Sequence, residues 1–403
     1  MPRPLQSTVS VPRPWNSRLQ SVQTLIAVPF FLPLLAAGVL VGFRDSMSLP
    51  YNILFVVERA RFGPLEVGIY LTARAGGAIV IATLFGAWFD RRPSLWPLFV
   101  ALVSGAIGYM LLTMTTNFAL LCLIGAVPLG MGAAAFPLLF SVAKVQGAGA
   151  NPLAGARSIA LLRASFSLAW GIGPAIGAIV VHEDNYNALF WVSSVFSGLA
   201  FAPLIGKRMG ASRSAEAEVT RPRLAAAVLL AAGSLILFNM GLGMGAVALP
   251  IAITADFAGS KSDVGLAFSL CALLEVPVMM AIAARPSFFL GYKGMFLGFV
   301  GMTLYFLAAA LAPSSAALIW AQILRALGIG LVTCIGISYL QDLMPNRVGA
   351  ASALYANTNQ IGLLLAGLSA GAWAQVYDYH SLFWPCALIT VAGLACLAAG
   401  RRS

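Results

Sequence analysis

The sequence predicts an all-α membrane protein in which twelve transmembrane helices form two six-helix halves. Of its 403 residues, 60% are hydrophobic and 9% are charged, and the mean hydropathy is +0.90. A soluble protein of this size carries about 25% charged residues. Twelve apolar stretches approach the ~20 residues that a spanning helix needs. The net charge of +11 therefore reflects membrane topology, and we expect a lipid bilayer and no nucleic acid among the partners.

The spans follow from apolar stretches that are separated by polar or Pro- and Gly-containing connections. The first stretch is overlong, and Pro29, Pro33 and Pro50 can bend or shorten its regular part. The predicted spans are 25–57, 64–87, 95–115, 117–142, 156–181, 188–206, 224–253, 262–284, 294–311, 315–340, 347–375 and 381–399.

Orientation follows from the Lys and Arg residues of the connections, which concentrate on the cytoplasmic side of membrane proteins. Of the 24 basic residues, four lie in the interior of predicted spans and only Arg59, Arg61 and Lys261 lie in connections on one side. All the others lie in segments on the opposite side. We therefore expect a multi-pass protein of the plasma (inner) membrane with both termini in the cytoplasm.

Short internal repeats divide the chain into halves. Glu66-Val67-Gly68-Ile69 opens the second span and Asp263-Val264-Gly265-Leu266 opens the eighth, and a Gly-x-Gly pair recurs at nearly the same offset of about 197 to 198 residues. Duplicated halves are typical of secondary transporters, although a channel or a membrane enzyme has the same helix count. The predicted domains are a cytoplasmic tail at 1–24, a six-helix bundle at 25–206, a cytoplasmic linker at 207–223 and a second six-helix bundle at 224–400.

Six charged residues interrupt the predicted spans. A charge at bilayer depth costs roughly 3 kcal/mol on insertion scales, so such residues usually face a bundle interior or an aqueous cavity. We expect them to carry transport or gating. They are Arg44, Asp45, Arg74, Arg163, Glu275 and Arg325.

The connection after the second span reads Gly86-Ala87-Trp88-Phe89-Asp90-Arg91-Arg92. This pattern resembles the loop signature of the major facilitator superfamily, in which the Asp bridges neighbouring helix ends and holds the cytoplasmic face closed. The resemblance implies that Asp90 and Arg91 are gating residues. The plainer interpretation is that these charges cap a helix end on the cytoplasmic side.

Four blocks resemble the sugar efflux transporter family within that superfamily. They are R-A-x-x-S-L-A-W-x-I-G-P at 163–174, L-E-x-P at 274–277, Q-D-L-M-P-x-R-x-G-A-A at 341–351 and L-A-G-x-x-x-G-x-x-A-Q at 365–375. The resemblance implies the twelve-helix major facilitator fold and proton-coupled export of small sugars and glycosides. It also implies that family positions are occupied by Arg163, Glu275, Gln341, Asp342, Arg347 and Asn357.

The intramembrane charges suggest specific ion pairs. Arg44 and Asp45 point about 100° apart on a helix, so we expect each to find another partner. In the resembling fold, the first and tenth spans line the cavity, and the fifth and eighth meet between the halves. We therefore predict that Asp45 pairs with Arg325 and that Arg163 pairs with Glu275. Either pair acts in gating or proton coupling, or it is a static structural contact.

Neutral amides and aromatic rings are suited to a sugar, because amides hydrogen-bond hydroxyl groups and rings stack on a sugar face. The alternative for the same residues is helix–helix hydrogen bonding or core filling. We predict that the cavity is lined by Arg44, Asp45, Trp170, Asn239, Arg325, Tyr355, Asn357, Asn359 and Gln360. The predicted coupling and gating residues are Asp45, Arg74, Asp90, Arg91, Arg163, Glu275 and Asp342.

A lone acid such as Glu275 in apolar surroundings is suited to binding and releasing a proton, because desolvation penalises the carboxylate. We therefore expect a monomeric, proton-coupled secondary transporter that exports sugars or related small molecules by alternating access, with no cofactor and no metal. The alternatives are a multidrug or lipophile exporter of the same superfamily and a membrane enzyme acting on lipid-linked sugars. No catalytic constellation or phosphate-binding loop supports the enzyme.

Overall fold

The computed structural model describes residues 30–150, 152–207, 209, 226–289, 291–345 and 347–401, and these form twelve long helices. The predicted tail at 1–24, and the predicted linker at 207–223 except for Lys207 and Met209, lie outside the described residues. The helices are α1 (Phe31–Arg59), α2 (Pro64–Arg91), α3 (Trp96–Leu112), α4 (118–150), α5 (Pro152–Val180), α6 (Tyr186–Leu199), α7 (Ala226–Asp256), α8 (Lys261–Ala284), α9 (Tyr292–Ala310), α10 (Ser315–Leu343), α11 (Val348–Val376) and α12 (Phe383–Gly400).

The predicted all-α membrane fold is confirmed. Ten of the described helices are long and apolar enough, by length and composition, to cross a membrane. Helix α3 is apolar but has 17 residues. Helix α11 has 29 residues but carries the polar run Asn357-Thr358-Asn359-Gln360. The predicted fourth span, 117–142, ends too early. Helix α4 continues to Ala150. The polar residues Lys144 and Gln146 end the apolar stretch but not the helix, because both residue types are good helix formers.

The internal repeat has a structural counterpart at the starts of α2 and α8. The Glu66 carboxylate accepts a hydrogen bond from the Gly63 backbone N–H at 2.8 Å, and the Asp263 carboxylate accepts one from Ser260 N–H at 2.8 Å. Each acid therefore satisfies a backbone donor that the first turn leaves unpaired, as in a capping box. The repeated acids thus mark equivalent helix starts in the first half (α1–α6) and the second half (α7–α12).

The two halves meet through α2 against α11 and through α5 against α8, and the second of these contacts is the one that the resemblance implies. Glycines allow the close approach of α2 and α11. A Cβ added at Gly68 would lie 2.8 Å from the Gly367 carbonyl oxygen and 2.9 Å from the Gly371 Cα. Both neighbours are backbone atoms, so no side-chain rotation can relieve the contact.

The two ends of the bundle differ in packing. We call the end where α2 and α8 begin the Lys261 side, and the end where α2 finishes the Asp90 side. One buried cluster joins both halves and includes Tyr51 of α1 together with Val264 and Phe268 of α8. A second cluster lies toward the Asp90 side and contains only first-half residues, among them Leu34 and Phe89. The halves therefore share a continuous core at the Lys261 side.

Candidate functional site

A cavity of about 290 Å³ lies between the halves. Leu49 of α1 and Trp170 of α5 line it from the first half, and residues of α7, α8, α10 and α11 line it from the second. Most of the lining is apolar. Four of the predicted cavity residues line it, together with Glu275, which the sequence predicts for coupling: Trp170, Asn239, Arg325 and Asn359.

A second cavity of about 210 Å³ continues the first along the contact between α5 and α8. It shares Trp170, Ala272 and Glu275 with the first cavity and adds Phe166 and Ser167. Trp170 and Glu275 therefore stand where the two cavities adjoin, one on each half.

Arg325 is the buried cation of the cavity, with 5% of its surface exposed. Its Nη1 donates to Gln322 Oε1 at 3.1 Å, and its Cζ lies 5.2 Å from the Phe268 ring centre and 5.8 Å from the Tyr305 ring centre. Within the described chain, its Nε has no hydrogen-bond partner and no carboxylate lies at ion-pair distance. The predicted pair of Asp45 with Arg325 is therefore wrong.

Glu275 is half-buried on α8, one helical turn after Cys271, whose Sγ lies 3.8 Å from Glu275 Oε1. The charges of Glu275 and Arg325 interact electrostatically. The predicted ion pair of Glu275 with Arg163 is not formed, because the exposed Arg163 side chain has no carboxylate at ion-pair distance among the described residues. Arg163 instead lies within electrostatic range of Tyr355 on α11.

Two amides join α7 and α11 at the cavity wall. Asn359 Nδ2 donates to Asn239 Oδ1 at 3.0 Å, and Asn239 Nδ2 donates to the Leu235 carbonyl at 2.8 Å. Trp170 faces them from the other half, and its buried Nε1–H finds no acceptor within the described residues. The cavity thus holds a fixed amide pair and an unused indole donor.

Three predicted cavity residues do not line the cavity. Tyr355 is half-buried and donates from its hydroxyl to the Thr333 carbonyl at 3.3 Å, within the second half. Asn357 is exposed and Gln360 is half-buried on α11. Residues 357 and 360 lie on other faces of the helix than Asn359, because successive residues are separated by about 100°.

Arg44 and Asp45 also lie outside the cavity lining. Arg44 is 1% exposed, and its Nη2 lies 2.8 Å from Asp45 Oδ1. The remaining donors reach Ser197 Oγ at 3.2 Å and the Gly132 carbonyl at 3.1 Å. The expectation that the two neighbours cannot face each other was wrong, because the long Arg side chain folds back along the helix to the adjacent carboxylate.

Arg74 is part of a polar cluster in the first half that sequence reasoning missed. Its Nη1 donates to Asn52 Oδ1 at 3.0 Å, and the Tyr70 hydroxyl donates to the same oxygen at 2.9 Å. The Ser48 and Tyr109 hydroxyl oxygens are 2.7 Å apart nearby. Asn52 and Ser48 are four residues apart on α1, on the same face as the charged residues at 44 and 45, and that spacing is the signal that could have identified them.

The halves are joined at the Lys261 side by charges that were also missed. Lys261 Nζ lies 3.1 Å from Glu58 Oε2 and pairs with Asp184. The Tyr186 hydroxyl donates to Glu58 Oε2 at 2.5 Å, and the Lys261 ammonium lies 4.4 Å from the Tyr186 ring centre. We call Glu58, Asp184, Tyr186 and Lys261 the Lys261 latch.

Tyr51 lies beneath this latch and is fully buried. Its hydroxyl oxygen lies 2.8 Å from the Pro174 carbonyl oxygen and 3.2 Å from that of Lys261. The cavity is therefore closed toward the Lys261 side by contacts that cross between the halves.

The predicted gating charges at the other end are exposed. Asp90, Arg91 and Asp342 have exposed side chains and take part in none of the ion pairs found among the described residues. The same part of the chain contains no group of three or more His, Cys, Asp and Glu residues that could hold a metal ion.

Comparison with known proteins identifies the family. The profile of the Major Facilitator Superfamily matches residues 229–402. A protein of Deinococcus radiodurans named "Putative sugar efflux transporter" is 32% identical over 378 residues, which cover 91% of this chain and 96% of that protein. The chain belongs to the sugar efflux transporter family of the major facilitator superfamily. Its relatives are named as transporters, which places it among transporters and not among enzymes.

Further comparisons agree with this assignment. Sugar efflux transporter B of Salmonella typhimurium is 26% identical, with 90% of this chain and 94% of that protein covered. The crystal structure of the nucleoside transporter NupG superposes with a TM-score of 0.74 at 15% identity, covering 93% of this chain and 99% of NupG. At that identity the superposition shows the shared fold alone.

The blocks that resemble the sugar efflux transporter family map onto distinct parts of the structure. The block at 163–174 places Trp170 on the cavity, and the block at 274–277 places Glu275 there. The block at 341–351 forms the junction of α10 and α11 at the Asp90 side, where Gln341 Nε2 donates to Ser352 Oγ at 2.9 Å. Of the four blocks, two therefore contribute to the cavity and one to a helix junction, and the block at 365–375 supplies Gly367 and Gly371 to the contact of α11 with α2.

Proposed function

We propose that this protein is a secondary transporter that exports sugars or related small polar molecules by alternating access. One observation carries the proposal: a cavity with polar groups from both halves lies between them, and contacts between the halves close it toward the Lys261 side. The names of the relatives supply the substrate class. The cavity and its closure come from the two halves of one chain, so we propose that a monomer transports.

The cavity lining is suited to a small polyol. The Asn239–Asn359 pair and the free Trp170 Nε1–H offer hydrogen-bonding groups, and the indole offers an apolar face for a sugar ring. Leaving a buried donor such as the Trp170 Nε1–H unpaired is costly, so the site favours ligands that offer it an acceptor. A sugar provides hydroxyl groups as both donors and acceptors.

Gating follows from the two ends of the bundle. The basic connections support an orientation in which the Asp90 side faces the cytoplasm of a plasma-membrane protein. The Lys261 latch then holds the external side closed while substrate enters from the cytoplasm. When the halves rock, the latch breaks and Asp90, Arg91 and Asp342 form closing contacts at the cytoplasmic side. Charge-assisted hydrogen bonds at the two ends would thus form in alternation.

We propose that Glu275 is the residue that couples transport to proton movement. It is an acid on the cavity without an ion-pair partner among the described residues, whereas Asp45 is held by Arg44. A carboxyl in an apolar wall gains or loses a proton with a large change in solvation, so protonation can favour one arrangement of the halves. We propose that the positive charges of Arg163 and Arg74, both in the first half, contribute to the electrostatic potential that Glu275 experiences.

The test uses purified protein in proteoliposomes. We expect labelled lactose or glucose to accumulate by counterflow, and an imposed proton gradient to drive net movement. Glu275→Gln should retain counterflow and lose the response to the proton gradient, whereas Glu183→Gln, which removes an exposed acid remote from the cavity, should retain both.

Other outcomes would contradict the proposal in distinguishable ways. Thermal stabilisation of the detergent-purified protein by hydrophobic cations and not by sugars would indicate a multidrug exporter. Formation of a covalent product from a lipid-linked sugar would indicate an enzyme. Flux that is too fast for a rocking cycle would indicate a channel.

A further inference from the structure

Arg325 has more hydrogen-bonding capacity than the described structure uses. A guanidinium carries five N–H donors and stays charged, yet the only hydrogen bond found for it in the described chain runs from Nη1 to Gln322. The side chain is 5% exposed and lines the cavity. Its Nε is buried and has no partner there.

A structural role does not explain this arrangement. A buried cation is strongly destabilising when it lacks a counter-ion, and none of the carboxylates in the described part of the chain lies at ion-pair distance from Arg325. The Phe268 and Tyr305 rings hold the guanidinium in place through cation–π contacts but do not neutralise it. Glu275 acts on the guanidinium only from beyond ion-pair distance, so the described residues leave a fixed positive charge without a bonded counter-ion beside the cavity.

We propose that Arg325 is a specificity-determining residue that binds the carboxylate of an acidic sugar, so that the substrates include monoanionic sugar acids such as hexuronates. The inference rests on the proposed function, because it names a chemical class for the molecule that the same cavity transports. The planar guanidinium matches a carboxylate in geometry as well as in charge. The amide pair and Trp170 then hold the hydroxyl-bearing ring.

Charge and size favour a monoanion of monosaccharide size. One guanidinium neutralises one negative charge, and the neighbouring Glu275 adds negative charge to the cavity, which disfavours a phosphate dianion. The cavity of about 290 Å³ lies at the small end of ligand-binding pockets. Glu275 and a substrate carboxylate would compete for the same cation.

The test measures binding and transport separately on the full-length protein. Quenching of intrinsic tryptophan fluorescence reports binding of glucuronate, glucose and glucose 6-phosphate, and counterflow in proteoliposomes reports movement. We expect glucuronate to bind more tightly than glucose. Arg325→Gln should weaken glucuronate binding by about ten- to a hundredfold and change glucose binding little. Glu275→Gln should strengthen glucuronate binding, because it removes the competing carboxylate.

Arg285→Gln is the matched control, because it removes one exposed positive charge at the end of α8, outside the cavity. Equal binding of glucuronate and glucose, or equal weakening of both by Arg325→Gln, would overturn the inference. If Arg325→Gln does not fold, the tighter glucuronate binding expected for Glu275→Gln, set against unchanged binding for Arg285→Gln, still decides it. Tighter binding of glucose 6-phosphate than of glucuronate would also overturn it. Glucose counterflow without glucuronate binding would leave the proposed function standing, whereas glucuronate binding without counterflow would contradict that function alone.

Discussion

Lys261, the first residue of α8, lies with its Nζ 3.1 Å from Glu58 Oε2 at the end of α1, and the same ammonium pairs with Asp184. One cation of the second half therefore contacts two acids of the first half. The contact is partly buried, with 15% of the Lys261 side chain exposed. It is suited to a gate, because a partly solvated ion pair is strong enough to bias a conformation and weak enough to break.

Replacing Lys261 is expected to open the external side. An ion pair near a protein surface contributes up to about 1 kcal/mol, so Lys261→Gln should raise the population of the outward-open arrangement by about fivefold. Spin labels at Asn187→Cys and Ser262→Cys, both exposed on the Lys261 side in different halves, report the separation by pulsed electron resonance in a cysteine-free background. The longer-distance population should grow.

Arg59→Gln is the control for that measurement. Arg59 is exposed at the same end and forms none of the ion pairs found among the described residues. If both substitutions widen the distance distribution equally, a general loss of positive charge and not the latch would account for the result.

The Arg44–Asp45 pair is expected to stabilise the first half and not to gate transport. Asp45→Asn would leave the buried Arg44 guanidinium with neutral partners only, at Ser197 and Gly132. Breaking a buried pair costs 3–5 kcal/mol, and the partial exposure of Asp45 reduces this to about 1–3 kcal/mol. Thermal unfolding in detergent should show the loss, and the double variant Arg44→Gln with Asp45→Asn should recover part of it.

A different outcome would restore the coupling role that the sequence predicts for Asp45. If Asp45→Asn unfolds at the same temperature as the unaltered protein but loses the response to a proton gradient, the pair is part of the transport cycle. Glu183→Gln, an exposed acid outside the pair, controls for the loss of one negative charge.

The fold could be predicted because its signals are local. The apolar stretches, the alternating basic connections and the repeat at Glu66 and Asp263 each depend on a few neighbouring residues, and the acids prove to cap equivalent helices. Glu275 could also be identified, because its charge interrupts an apolar span, and Trp170 could be identified because it is an aromatic residue within a block that resembles the family.

The pairing of charges could not be predicted in this way. The direction of Cβ on a helix separates Arg44 from Asp45, but the length of the Arg side chain decides the contact. The Lys261 latch was missed for a related reason. Glu58 and Lys261 are 203 positions apart, and in the sequence each looks like an ordinary solvated charge near the end of a helix. Only the packing of α1 and α8 brings them together.

Closure at the Lys261 side is expected to depend on the small residues between α2 and α11. Gly68→Ala would place a methyl group 2.8 Å from the Gly367 carbonyl oxygen, so the helices must separate by a few tenths of an ångström or more. We expect Gly68→Ala to widen the same spin-label distance and to slow counterflow. Gly233→Ala is the control, because a Cβ there would contact nothing within 4 Å. Equal effects of both substitutions would show that helix propensity and not close packing is responsible.

The Asn239–Asn359 pair is expected to bind the sugar ring. Asn359→Ala removes the donor to Asn239 Oδ1 and one cavity amide, and loss of a neutral hydrogen bond costs about 1 kcal/mol. Sugar affinity measured by tryptophan fluorescence should therefore fall about fivefold. Asn187→Ala, at an exposed position on α6, should leave the affinity as it is. An Asn359→Ala protein that binds sugar with undiminished affinity would show that the amide pair only joins α7 to α11, and the binding surface would then have to be sought around Trp170 and Glu275.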